Sequence, residues 1–408
     1  MQRAFRFTVR YWLARDAARI TRVHELFLRA VFAWPSRRFL RPASLRWSST
    51  IEDQLNGSFN KNQLDTKVKH CQSNSKQLDA GLRAELDAAP KPGKLTPKGR
   101  KQWRVAMKHD VWTFISGCAP FKGYIFFASQ LDKLVAADQP NSSFFSYDED
   151  DTNQPYGSFD KAVGWPAIAM ATIKPDEDAE RLVVAIGPNG DYWEGEPGTL
   201  KETVDRIQNF RGNLRALSVV DHLIYACGMG RVVLQRQGLG QWTSIGPGEL
   251  KGDPDVVGLE DIGGYSADEM YAVGWVGEIW WRDSGKWRRI DSPTSVNLDA
   301  LYCAEDGHVY VVGQDGTMLR GRRDVWSVIE TGRTENLQDV AFFEGTVYVT
   351  TDFRILKLTD RGLVNDDDFR DADRPRTCLH LLRAADGVVS LGTKDLFRRN
   401  GGQWSRLV

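Results

Sequence analysis

Glu260, Asp261, Tyr265, Arg215 and Arg320 are the side chains in this sequence that could cleave a glycoside. That chemistry needs two suitably placed carboxylates or a tyrosine nucleophile, with arginines to hold a substrate carboxylate. His222, His308 and His380 could ligate a metal ion if the fold brought three imidazoles together. Asp366, Asp367, Asp368, Asp371 and Asp373 could attract calcium, but they lack the alternating spacing and the glycine of a calcium loop. They read instead as a solvated acidic loop. A chain with 54 Lys and Arg and 54 Asp and Glu offers such sets by chance. The tighter signatures are missing: there is no phosphate loop, no His-Glu-x-x-His, no Cys-x-x-Cys and no Gly-x-Ser-x-Gly elbow. The expectation is a non-catalytic protein with no cofactor and no metal.

Any site must be positioned by a unit of about 40 residues that recurs through the C-terminal two thirds. Its core is a strand ending in glycine, a turn, and a second strand, as in LIYACGMGRVVL, MYAVGWVGEIWW and VYVVGQDGTMLR. The landmark glycines are Gly187, Gly228, Gly274, Gly313 and Gly392, at intervals of 41, 46, 39 and 79 residues, the last spanning a copy with Thr351 in the glycine position. Trp242, Trp287, Trp326 and Trp404 follow in phase, and Asn213, Asn297 and Asn336 each open a unit before a leucine. Short apolar runs punctuated by Gly, Asp and Asn are the mark of antiparallel strands in tight turns. Four strands per unit make a β-propeller blade. Units near 111–150, 164–208, 213–247, 256–292, 297–331, 336–366 and 377–408 give an all-β fold of seven blades, with six as the alternative. The polar stretch DEDDTNQPYGSFDKA reads as an insertion between the first two units.

The segment Asp283 to Trp287, DSGKW, resembles a reduced Asp-box of the BNR and sialidase-type propellers. The Val-Gly-x-x-Gly strands are similar to the broad YVTN, WD40 and BNR-like group over roughly residues 111–408. The serine before the Asp-box and the threonine inside it are missing, as are the Gly-His and Trp-Asp pairs of true WD40 blades. The resemblance implies the fold, and propellers host unrelated tasks.

Zero net charge conceals two opposed parts: residues 1–106 carry 22 basic against 8 acidic side chains, and residues 107–408 carry 32 against 46. An acidic propeller disfavours nucleic acid and favours a basic protein partner. Residues 1–50 hold eleven Arg and no Lys and read as a separate extension, whether a transit-type presequence, a basic surface helix or a dispensable upstream segment. Residues 51–106 read as a polar, partly helical or disordered linker, and 107–408 as the propeller, with Met107 as the expected start of the working protein. LFLRAVFAW, broken by Arg29, is too short to span a membrane. Five scattered cysteines agree with a reducing compartment, hence the cytoplasm.

In a propeller the first strand of each blade lines the central channel. Aligned strand starts place Arg215, Glu260, Asp299, Gln338 and His380 at equivalent positions, with Asp261 and Asp339 one residue on. The adjoining turns supply Trp275, Gln314 and Asp315, along with Met229, Asp352 and Lys394. These ten ring and turn residues, from Arg215 to His380 together with Trp275, Gln314 and Asp315, are the expected partner-binding set. Trp275 is its anchor, unless it packs against the next blade. The phased tryptophans are expected to be blade-to-blade core. The chain also looks like the BNR-like propellers found beside bacterial polymorphic toxins, which implies an immunity or accessory protein. A glycan-binding or sialidase-like propeller and an assembly factor are the alternatives.

Overall fold

The second strand of every unit is a nearly continuous apolar run: YIFFA, LVVAI, LIYAC, MYAV, VYVV, TVYV and GVVSL. A strand with no polar face must be covered on both sides. The computed structural model, which describes residues 111–153, 155–158, 162–174, 181–196, 202–248 and 257–408, shows how. The strands form seven separate four-stranded antiparallel sheets, arranged as blades around a channel. In chain order they are β1–β4 from Trp112 to Ser158, β5–β8 from Ala169 to Arg206, β9–β12 from Leu214 to Ser244, and β13–β16 from Leu259 to Ile290. β17–β20 run from Leu298 to Val328, β21–β24 from Asp339 to Asn365, and β25–β28 from His380 to Arg406. Each blade is one contiguous stretch, and its first strand is innermost.

Every blade interface has its own apolar cluster. Between blades one and two, Phe126 and Phe144 stack on Trp193 with ring centroids 5.5 and 4.7 Å apart; each such pair adds about 0.5–1.5 kcal/mol beyond the area it buries. Tyr271, Val273, Leu301 and Val311 fill the gap between blades four and five, and Ala341, Tyr348, Val388 and Phe397 that between six and seven. The ring closes between blades seven and one through Phe114, Phe127, Val389 and Leu396, and among the described residues no strand is shared across this seam. Lys394 reinforces this seam by reaching the Asp132 carboxylate and the Trp112 carbonyl. Arg398 pairs across it with Glu149.

The landmark glycines are explained by close backbone approach. A Cβ on Gly274 would lie 2.0 Å from the Gly258 carbonyl oxygen, and one on Gly313 would lie 2.2 Å from that of Asn297. In these two blades the end of the second strand leaves no room for a side chain. The phased asparagines tie consecutive blades: Asn297 Oδ1 accepts the Val276 N–H at 2.9 Å, and Asn336 Oδ1 accepts the Asp315 N–H at 3.1 Å. The tryptophans do lie between blades, Trp287 donating to the Ile245 carbonyl of the preceding blade at 2.7 Å. Only Trp404 of the four is fully buried, because the outermost strands are open to solvent on one side.

Two expectations are corrected. The supposed insertion supplies β4, Tyr156–Ser158, which completes the first blade by pairing with β3, Ser143–Asp148. The acidic run at 366–368 is not simply a solvated loop. Asp366 is buried and accepts hydrogen bonds from Trp404 Nε1 at 2.8 Å, Arg399 at 3.0 Å and Lys357 at 3.0 Å. The extension 1–50, the linker 51–106 and Met107 lie outside the described residues. No helix among the described residues is long and apolar enough to cross a membrane.

Candidate protein-binding face

Because the first strand of a blade starts where its second strand ends, strand starts and second-to-third-strand turns meet at one mouth of the channel. The channel is a cavity of about 550 Å³ lined by all seven innermost strands. Arg215, Glu260, Asp261, Asp299, Gln338, Asp339 and His380 all line it. Trp275, Gln314 and Asp315 stand in the turns beyond.

At the mouth, Glu260 joins two neighbours. It accepts a hydrogen bond from Trp275 Nε1 of its own blade at 2.5 Å and lies 3.6 Å from Arg215 Nε of the preceding blade. Trp275 is therefore half-buried with its indole edge tethered and is not packed into the neighbouring blade's core. Gln338 donates to Asp352 at 2.8 Å, joining the start of β21 to the turn above it. Val276, 46% exposed, and Phe353, 68% exposed, extend the turns of blades four and six; sequence reasoning passed over both because an isolated apolar residue in a turn has no periodicity to mark it.

Asp261 and Asp339 do something else. Each accepts the N–H of its own following residue, and each also accepts an N–H from the next blade, Leu301 and Leu381 respectively, both at 2.8 Å. Their second oxygens thus staple blade four to five and six to seven. Burial pushes the Asp261 carboxyl up to about 7, against the pull of its backbone hydrogen bonds and with the help of nearby Asp339 and Glu260. Burial raises Asp339 to about 7 as well, and burial with the Glu260 charge raises Asp299 to about 6. Burial lowers the His380 imidazole, whose Nδ1 lies 3.9 Å from Asp339.

The glycosidase set is not brought together by any contact beyond Arg215 with Glu260. Tyr265 lies further along β13, Leu259–Ser266, where burial raises its phenol and Arg322 stacks on its ring at 4.3 Å. Asp261 is engaged by backbone. No group of three potential metal ligands occurs among the described residues. Of the turn residues, Lys394 serves the seam. The arrangement is a rigid polar mouth rimmed by half-exposed apolar side chains, which suits recognition of a macromolecule.

Over 261 residues the chain is 40% identical to Immune protein Tsi7 of Pseudomonas aeruginosa, a match spanning 62% of this chain and 83% of that protein. The chain belongs to the Tsi7 family. No protein-family model matches the chain. Among solved structures, the WD40 β-propeller domain of Doa1 superposes with a TM-score of 0.50 at 10% identity, covering 72% of this chain and 92% of that domain. That likeness concerns the fold alone. YCF48 from Cyanidioschyzon merolae gives a TM-score of 0.43 at 13% identity over 58% of this chain and 83% of its own.

Proposed function

We propose that this member of the Tsi7 family is a non-catalytic immunity protein that neutralises a toxin protein by holding it, one to one, on the channel-mouth face. The carrying observation is 40% identity to an immune protein over 83% of that protein's length. An immunity protein needs a rigid platform and no turnover, and seven blades sealed by apolar clusters provide one. The partner is basic: residues 107–408 carry 46 acidic against 32 basic side chains, and charge of one sign speeds encounter with the other. Partner contacts fall on Arg215, Glu260, Trp275, Asp299, Gln314, Asp315, Gln338 and His380, with Asp261 and Asp339 supporting them from within the channel. The four described cysteines are free, in keeping with action in the cytoplasm. The DSGKW hairpin supports placing the repeat in the BNR-like branch.

The test is a pull-down from the native host with the tagged full chain, followed by reconstitution from the purified components and a growth assay on cells expressing the recovered protein. One stoichiometric basic protein, toxic alone and harmless with the full chain, is the expected result. Recovery of no protein, or of one whose toxicity the full chain leaves unchanged, would remove this reading.

A further inference from the structure

Val276 is the one β-branched residue among the ten non-glycine residues with positive φ in the described chain, at φ 57° and ψ 31°. For a β-branched side chain this backbone region is a genuine outlier. The same turn recurs in the flanking blades. Gly228 to Val232, Gly274 to Glu278 and Gly313 to Thr317 align, and the position of Val276 is held by Gly230 at φ 71° and by Asp315 at φ 54°. Glycine and aspartate tolerate that conformation; valine does not. The surroundings impose it regardless. Asn297 pins the Val276 N–H, the Trp275 N–H is bound by the Gly258 carbonyl at 3.0 Å, and a Cβ at Gly277 would lie 2.1 Å from the Thr294 carbonyl oxygen.

Such strain persists where the side chain is wanted for something else. Val276 is 46% exposed and packs into none of the interior clusters of the described residues, so packing among them does not account for its side chain. It stands beside Trp275, at the channel-mouth end of an arc of turns that continues through exposed Asp315 to Asp352 and Phe353. Apolar, acidic and again apolar side chains follow one another across three blades. Resting on the immunity reading, we propose that Trp275 and Val276 form the apolar anchor of the toxin-binding face. The segment they receive carries an apolar side chain next to a lysine or arginine that meets Asp315. Tryptophan is enriched at such anchors, and an apolar centre bordered by charge is the usual anatomy of a tight interface.

The test uses the full chain and the protein recovered with it from the native host, titrated by calorimetry against wild type, Val276→Asn, Trp275→Ala and Asp315→Lys. Asparagine accepts the left-handed conformation. Val276→Asn is therefore expected to raise Tm by about 2–4 °C, the shift that relieving one strained residue brings, while weakening binding about tenfold or more. Trp275→Ala is expected to weaken binding at least as much. A lower Tm in Val276→Asn would overturn the strain argument. Unchanged affinity in both Val276→Asn and Trp275→Ala would overturn the anchor, and the immunity reading would still stand if Asp315→Lys released the partner. A full chain that recovers no protein overturns both.

Discussion

The Asp261 carboxylate accepts the backbone N–H of Leu301 at 2.8 Å, forty residues along the chain and one blade further round the ring. Asp339 and Leu381 repeat the contact two blades later at the same distance. Two acidic side chains in the channel are thus parts of the frame. Their titration should be felt by the whole ring.

The pH dependence follows from the direction of these shifts. In the unfolded chain both carboxyls titrate at the ordinary 3.8, and in the folded chain at about 7. Between those values the folded protein holds protons that the unfolded chain has released, so this contribution to stability is full below pH 4 and is lost as pH rises through 7. Asp132, Glu269, Glu335 and Asp368 are lowered and work the other way, losing their contribution only in stronger acid. Calorimetry from pH 4 to pH 8 should therefore find the highest Tm on the acid side of neutral. Asp339→Asn should flatten the slope, and a Tm rising steadily from pH 5 to pH 8 would contradict the assignment.

Gly274→Ala should cost about 3 kcal/mol, because the new methyl meets a carbonyl oxygen that the sheet cannot move aside. Gly164→Ala is the control. Nothing lies within 4 Å of the methyl it would add, and its φ is unexceptional. Urea titrations of the two variants should differ by most of that amount.

Arg231 and Glu278 form a buried bidentate pair between blades three and four, with contacts of 2.5 and 2.7 Å. Breaking such a pair by removing one partner costs about 3–5 kcal/mol, whereas replacing both by apolar groups costs far less. Arg231→Met alone should therefore be more destabilising than Arg231→Met combined with Glu278→Leu. Equal losses in the two would mean that Glu278 stays satisfied without Arg231, by Trp280, which donates to it at 2.9 Å, and by Arg289, 3.6 Å away.

For the partner complex, Asp315→Lys should slow association about tenfold at low ionic strength, with the difference shrinking as salt shortens the Debye length below about 5 Å. Stopped-flow rates at several salt concentrations would reveal a purely structural effect as one that salt leaves unchanged.

The fold was legible because blade contacts repeat at a fixed period. Gly274 and Gly313 stand in phase because an equivalent carbonyl approaches the same strand end in both blades, and Asn297 and Asn336 because each ties its blade to the turn before it. Channel membership of the polar ring follows from the same periodicity. Features belonging to one interface left no such trace. Nothing in the spacing pairs Arg231 with Glu278, 47 residues apart, or shows Asp366 beneath Trp404. Tyr156–Ser158 escaped notice because three half-buried residues in a polar stretch carry too short an alternation to read as a strand. Asp261 and Asp339 were legible as channel residues, but their second oxygens were not, since composition does not reveal where a carboxylate turns.

Among the described residues, no strand is exchanged between the seventh blade and the first. Opening the polypeptide at any connection between blades would therefore break no pairing within a sheet, and a permuted order of blades would leave all seven sheets whole. For the same reason a blade is a unit that duplication or loss of a gene segment can add or delete cleanly. The complementary faces between neighbours, such as Phe126 against Trp193, are then what keeps the number at seven.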